Sequence, residues 1–168
     1  TQDTLALKQA LALLLTVNRI PQLYYGTEVL MNGTKQVTDG NVRKDFPGGF
    51  PGDTRSCFTT EGRTKAENDM FRWTARLLHW RQGNEVITKG KQTQFIPQNG
   101  VYVVARSYNG KNVMTVINGT SKAATMKAER YAEIIGDAQE ATNILTGHKI
   151  NISKDVKLAP RGVMVLEF

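Results

Sequence analysis

Among its 168 residues the chain has a single cysteine, Cys57, and only two histidines, His79 and His148. One cysteine excludes a disulfide framework and a cysteine-rich zinc site. The C-terminal half groups no Cys, His and carboxylates as a metal site would. Long apolar runs are also missing. The longest uncharged, largely apolar stretch, Ala10–Val17, is far short of the ~20 residues a membrane-spanning helix needs. Membrane insertion is excluded on that ground. No basic-then-apolar leader is seen, and the chain starts at Thr1 rather than Met, so it reads as a processed product or a cut piece. With 40% hydrophobic and 22% charged residues and a mean hydropathy of −0.37, wholesale disorder is excluded as well.

Acidic residues are outnumbered, 15 Asp+Glu against 22 Lys+Arg, giving a net charge of +7 and a pI near 9.6. That excess permits an acidic partner. Its distribution argues against one: residues 1–82 hold 11 Lys+Arg and 8 Asp+Glu, and residues 83–168 hold 11 and 7. The cations are scattered singly, without a run that could track a phosphate backbone, and no helix-turn-helix, zinc-finger or RNA-recognition signature occurs. The expectation is no nucleic-acid partner. A basic interaction protein, the rival reading, requires affinity for anionic polymers that falls steeply with salt.

The chain changes character near Gly83. Before it, Leu7, Leu11, Leu14 and Leu15 fall at helical spacing and predict a helix over Leu5–Val17. Leu5, Ala12 and Leu13 make it apolar almost all round, so it is expected to be covered on more than one side. Asn18-Arg19 and then Pro21 end it. Ile20–Gly26 reads as a short buried strand. Helix, tight connection and apolar strand are the rhythm of a parallel α/β sheet. Thr27 to about Arg63 is a long loop rich in glycine, in which Asp39, Arg43, Lys44, Asp45, Asp53 and Arg55 sit among Phe46, Phe50 and Phe58. A loop of that length is functional or disordered. Aromatic faces beside fixed charges suit sugar recognition; the same composition also fits a solvated loop. A second helix is predicted over Ala66–Arg81 from the stripe Met70, Trp73, Leu77 and Trp80, with Thr59 or Thr60 as its cap and Glu61 favourable near its positive end. His79 in that helix reads as a packing or surface residue.

After Gly83 the period drops to two. Val101–Tyr108, Asn109-Gly110 and Lys111–Asn118 predict a type I′ hairpin, because Asn-Gly tolerates positive φ at both turn positions. Further strands are expected at Val86–Thr88, Gln94–Ile96, Ala123–Lys127, Ala141–Leu145, Lys149–Ile152 and Gly162–Phe168, with one helical turn over Glu129–Ile134. Many short strands at close spacing predict an antiparallel sandwich.

Ile20-Pro-Gln-Leu-Tyr-Tyr-Gly-Thr-Glu28 resembles the end of the eighth barrel strand of the α-amylase family of glycoside hydrolases (family 13). Asp39-Gly-Asn-Val-Arg43-Lys44-Asp-Phe-Pro-Gly-Gly-Phe50 resembles the loop that follows it, especially in neopullulanases and cyclomaltodextrinases. Leu77-Leu-His-Trp-Arg81 is similar to the end of the last barrel helix, and the β-rich remainder is similar to the family's C-terminal domain. The resemblance covers essentially the whole chain. It implies a mixed fold: an incomplete tail of a (β/α)₈ TIM barrel (helix, strand, loop, helix) over residues 1–82, then an antiparallel all-β C-terminal sandwich over residues 83–168. A complete barrel takes roughly 250 residues, so 82 cannot close one.

The resemblance further implies an α-glucan hydrolase acting on α-1,4 or α-1,6 glucosidic bonds by a retaining mechanism, with starch, pullulan, maltooligosaccharide or cyclodextrin as substrate. Retaining chemistry needs two carboxyls about 5–5.5 Å apart. The family's three essential carboxylates lie upstream of the part matched here, so no catalytic residue is assigned and the fragment alone is expected to be inactive. Asp39 and Arg43 match a sugar-contacting pair four residues apart; Lys44 is the next substrate-binding candidate, and Tyr25 and Glu28 match the strand-end motif alongside Tyr24 and Gly26. The other role open to these strand-end residues is packing of the barrel mouth. No metal or cofactor is assigned to this chain, calcium being placed in the missing upstream part. Expected partners are an α-glucan and, through exposed barrel surface, a second copy of the chain; a periplasmic or extracellular setting is preferred over the cytoplasm. The alternative reading is a non-catalytic carbohydrate-binding or structural β-sandwich module.

Overall fold

Asp3 starts the first helix: its carboxylate accepts from the Ala6 N–H at 2.9 Å, and α1 (Thr4–Thr16) runs until Val17 turns extended. The structure, a computed structural model, describes residues 3–168; Thr1, on which the expectation of a processed start rests, lies outside the described residues. One face of α1 is buried through Leu11, Ala12, Leu15 and Thr16, while Leu5 is exposed and Leu7, Leu13 and Leu14 are half-buried. The helix is covered on one side rather than on several.

The expected strand over Ile20–Gly26 does not form. A strand exists through its ladder partners, and this segment has none; Ile20 is 96% exposed. The second helix, α2 (Lys65–Arg81), matches its predicted span within a residue. Its cap is Thr64 rather than Thr59 or Thr60. The Thr64 N–H donates to Glu67 Oε2 at 2.7 Å and the Glu67 N–H donates to Thr64 Oγ1 at 3.3 Å, a reciprocal capping box. The expected strand Val86–Thr88 is instead a short helix, α3 (Glu85–Lys89), whose start is capped by Asn84 Oδ1 accepting from the Ile87 N–H at 3.3 Å.

Eight strands follow: β1 (Lys91–Gln98), β2 (Val101–Tyr108), β3 (Lys111–Asn118), β4 (Ala124–Met126), β5 (Glu140–Asn143), β6 (His148–Asn151), β7 (Val156–Leu158) and β8 (Val163–Glu167). A 3₁₀ turn at Ala128–Tyr131 and the one-turn helix α4 (Ala132–Ile135) lie between β4 and β5. The larger sheet has the order β1-β2-β3-β8-β5-β6 with antiparallel pairing throughout; β4 and β7 form a second, two-stranded antiparallel sheet. Asn109 and Gly110 take φ of 49° and 75° between the paired Tyr108 and Lys111, as the type I′ prediction requires. Asn99 and Gly100, at 49° and 79°, make the same turn between β1 and β2.

The central strands are buried on both faces, which their near-continuous apolar sequences allow. On one face Val101, Val103, Ala105, Met114, Val116 and Leu166 join Met126, Val156 and Leu158 of the small sheet, with Tyr131 and Ile135, in one core. On the other, α1 packs on β3 and β8 and α3 on β2 and β3. This second face is polar at its centre. Thr115 Oγ1 donates to Thr16 Oγ1 at 2.8 Å, and Gln9 Nε2 donates to the Asn118 carbonyl at 2.7 Å. α1 has no basic residue in its last turn. Its terminal carbonyls are met from outside instead, Leu15 O by Arg81 Nη1 at 2.6 Å and Thr16 O by Arg106 Nη1 at 3.1 Å.

By packing, the chain divides into two units: the segment ending at Pro21 with Arg76–Phe168, and Gln22–Ala75. This is a division of contacts. The expected boundary between residues 82 and 83 is one of family descent and stands as a proposal. No helix among the described residues is long and apolar enough to cross a membrane.

Candidate functional site

The unit Gln22–Ala75 carries the loop that the sequence singles out, and its order comes from local hydrogen bonds rather than from a regular ladder. At its start, Gly26 takes φ +82°, and its carbonyl accepts from the Val29 and Met31 N–H groups at 3.2 and 2.8 Å. A Cβ there would stand 2.2 Å from Met31 Sδ, so only glycine fits this turn. The Tyr24 and Tyr25 rings lie 4.5 Å apart, tilted by 33°, and the Tyr25 hydroxyl donates to the Lys44 carbonyl at 2.9 Å. Further on, Asn41 Oδ1 accepts from the Thr34 N–H at 2.8 Å, closing residues 34–41 into a small loop. Asp53 Oδ2 accepts from the Gly48 and Phe50 N–H groups at 2.7 and 3.2 Å and shapes the Pro-Gly-Gly turn.

Tyr25 and Lys44 lie together on the wall of a cleft of about 120 Å³, with Tyr24, Asn32 and Asn41. Asp39 and Arg43 flank the single 3₁₀ turn Gly40–Val42, next to this cleft in sequence but outside its wall. Both are exposed, and neither side chain makes a hydrogen bond or ion pair among the described residues. Glu28 sits in the 3₁₀ turn Thr27–Val29, half-buried and off the cleft wall. The structure therefore joins two of the five sequence candidates, places two on an adjacent turn and sets the fifth apart. Lys44 also lines a neighbouring cleft of about 250 Å³ with Asp45, Arg55 and Glu67. Asn32 and Asn41 were not singled out from sequence. Nothing in their spacing marks them; only the closure of the loop brings them to the wall.

Ion pairing stiffens this segment. Arg55 forks onto Glu67, Nη1 to Oε2 at 2.7 Å and Nη2 to Oε1 at 2.9 Å. This pair and the Thr64 donors hold the Glu67 carboxyl down at about 2. A carboxyl ionised so strongly has no proton to give near neutral pH, where a general acid must hold one. The Tyr25 hydroxyl is pushed up, first by its interaction with Tyr24 and then by burial, with the Asp45 charge adding and the Arg43 charge opposing. Cys57 is buried and its thiol is pushed up by that burial. Among the described residues no three His, Cys, Asp or Glu side chains group as a metal site would. What the loop offers is a set of planar amide, carboxylate and guanidinium groups beside two tyrosine rings, suited to hydrogen-bonding a polyhydroxylated ligand.

The chain's likeness is to the C-terminal part of α-amylase-family proteins. A cyclomaltodextrin glucanotransferase of Thermoanaerobacterium thermosulfurigenes is 26% identical over 166 residues, covering 94% of this chain and 20% of that protein. A solved α-amylase of Geobacillus thermoleovorans, complexed with acarbose, has a TM-score of 0.71 at 21% identity, covering 99% of this chain and 34% of the other. At that identity the structural match is one of fold: the antiparallel β domain with few helices is similar in fold to the C-terminal β domain of amylases.

Residues 92–167, from β1 to β8, match the Cyclo-malto-dextrinase C-terminal domain family. A cyclomaltodextrinase of Thermoanaerobacter pseudethanolicus is 28% identical over 116 residues, 69% of this chain and 17% of the relative. The chain spans about a fifth of the length of the curated relatives it matches.

Proposed function

We propose that this chain is the C-terminal portion of a retaining α-glucan hydrolase of neopullulanase or cyclomaltodextrinase type. On this reading residues 1–82 are the tail of its barrel, and the loop at 39–44 holds sugar units of the substrate. The observation that carries the loop assignment is the unpaired state of Asp39 and Arg43 on either side of one short turn. A carboxylate accepts and a guanidinium donates, so together they can bridge neighbouring hydroxyls of one glucose unit. Lys44 and Tyr25 add the wall of the adjacent cleft, and Glu28, whose carboxylate accepts no hydrogen bond, stands off that wall as an outlying acceptor. Relatives named as glucanotransferase, cyclomaltodextrinase and amylase support an α-glucan as the substrate class; hydrolysis of α-1,4 or α-1,6 bonds is part of the proposal.

Hydrolysis belongs to the longer protein in this reading. The purified 168-residue chain releases no reducing sugar from maltoheptaose or pullulan. Measurable hydrolysis by it would overturn the assignment of its carboxylates to binding and structure. A chain that bound no α-glucan at the loop would stand instead as a structural β module.

A further inference from the structure

A second cleft, of about 430 Å³, lies in the other unit, beside the β2–β3 hairpin and the start of α3. Its volume falls within the roughly 300–1,000 Å³ of small-molecule sites. None of the sequence-derived candidates lines it. Asn84, Glu85, Tyr108, Asn109, Lys111 and Glu167 do. Glu167 Oε1 accepts from Trp80 Nε1 at 3.1 Å and from Asn84 Nδ2 at 2.9 Å, which fixes the carboxylate and leaves Oε2 without a donor. The side chains of Tyr108, Asn109 and Lys111 have no hydrogen-bond partner among the described residues. A fixed acceptor, an amide, an ammonium and a phenol thus converge without being satisfied by one another.

The chemistry of this wall selects a ligand class. Glu85 and Glu167 balance Lys89 and Lys111, and Glu85 is already paired with Lys89, so neither an anion nor a cation gains net attraction. A purely apolar ligand would desolvate these polar groups without replacing their bonds to water. A neutral polyhydroxylated ring does replace them, and its C–H face suits the half-buried Tyr108 ring, which Lys89 Nζ approaches at 5.9 Å from the centroid. We propose that this cleft binds a neutral saccharide, with the ring against Tyr108 and neighbouring hydroxyls shared between Glu167 Oε2, Asn109 and Lys111. The ligand class follows from the cleft alone; the use of an α-1,4-glucan as probe rests on the proposed function.

The test is an amide-resolved NMR titration of the full chain with maltotriose and, separately, with cellotriose. The expected result is saturable shifts of the Asn84 and Asn109 side-chain amides, with a Kd on the order of 1 mM. Tyr108→Ala weakens binding about tenfold, and Glu167→Gln or the exposed Lys111→Ala about threefold to fivefold. Tyr108→Phe keeps the ring and binds within about twofold of the parent chain, which separates loss of the platform from loss of the fold. Saturation by cellotriose but not maltotriose supports the cleft as a saccharide site while counting against the α-glucan reading. No saturable shift at these amides with either sugar overturns the proposal, as does binding unchanged in both Glu167→Gln and Lys111→Ala.

Discussion

Replacing Arg106 with Met tests how α1 is held on the sheet. The Arg106 side chain is 1% exposed and forms no ion pair among the described residues. Its Nε and Nη2 both donate to the Gly90 carbonyl, at 3.2 and 2.7 Å, and its Nη1 donates to Thr16 O at 3.1 Å. Burial pushes the guanidinium down, and the Arg81 charge adds to that. Two opposing effects set the magnitude. A buried charge costs several kcal/mol to desolvate, and Met removes that cost. Met also leaves two buried carbonyls without donors, at about 1–3 kcal/mol each, and forfeits three charge-assisted bonds. The carbonyls win because one of them is the negative end of α1, where a cation is favoured. The expected net loss is about 2–4 kcal/mol, or a fall in Tm of roughly 4–16 °C for a chain of this size. Arg106→Lys falls between the two, since one ammonium cannot fork across both carbonyls. Urea unfolding followed by far-UV circular dichroism measures it. An Arg106→Met chain as stable as the parent, or more stable, would refute the reasoning.

Three further outcomes follow from the same structure. Glu67 titrates at about 2 when folded against an ordinary 4.5, so its carboxylate contributes full stability above about pH 4.5 and loses it as pH falls towards 2; urea midpoints should decline across that window and Glu67→Gln should flatten the decline. Gly110→Ala meets open space and costs only the backbone strain of positive φ, about 1 kcal/mol, whereas Gly100→Ala places its methyl 2.2 Å from Thr120 Cγ2 and should cost more in the same unfolding assay. Leu5 and Ile20 are exposed apolar side chains on the proposed barrel tail, so sedimentation at high concentration should show reversible self-association that Ile20→Asp reduces; a strictly monomeric parent chain would count against the barrel-tail reading.

Both long helices were legible in the sequence to within a residue, because their apolar periodicity is sustained over several turns. The Asn109-Gly110 hairpin was legible for a local reason, and the same signal at Asn99-Gly100 marked a second hairpin that the strand spacing alone obscured. Errors arose where tertiary context decides. Val86, Ile87 and Thr88 are all β-branched, yet the Asn84 cap and the Glu85–Lys89 pair favour a helix. Ile20–Gly26 has a strand's composition but no strand to pair with. β7 is three residues long and below any periodic signal. The pairing of β3 with β8 and of β8 with β5 joins residues far apart in sequence, and no local pattern encodes it. At the candidate site, residue types pointed to sugar chemistry, but the closure that gathers Tyr25, Lys44 and Asn41 depends on single hydrogen bonds of a loop. The capping box at Thr64 and Glu67 is a readable Thr-x-x-Glu pattern, four residues past Thr60.

The central claim is that the turn bearing Asp39 and Arg43 binds α-glucan. Its most direct measurement is a titration of the chain with maltoheptaose, followed by NMR at the Arg43 Nε–H and the Gly40 backbone N–H. The account predicts saturable shifts at both, with affinity weakened about tenfold or more by Asp39→Ala, and by Arg43→Ala as read at Gly40. Signals at these two positions that stay unmoved to saturating sugar would contradict it.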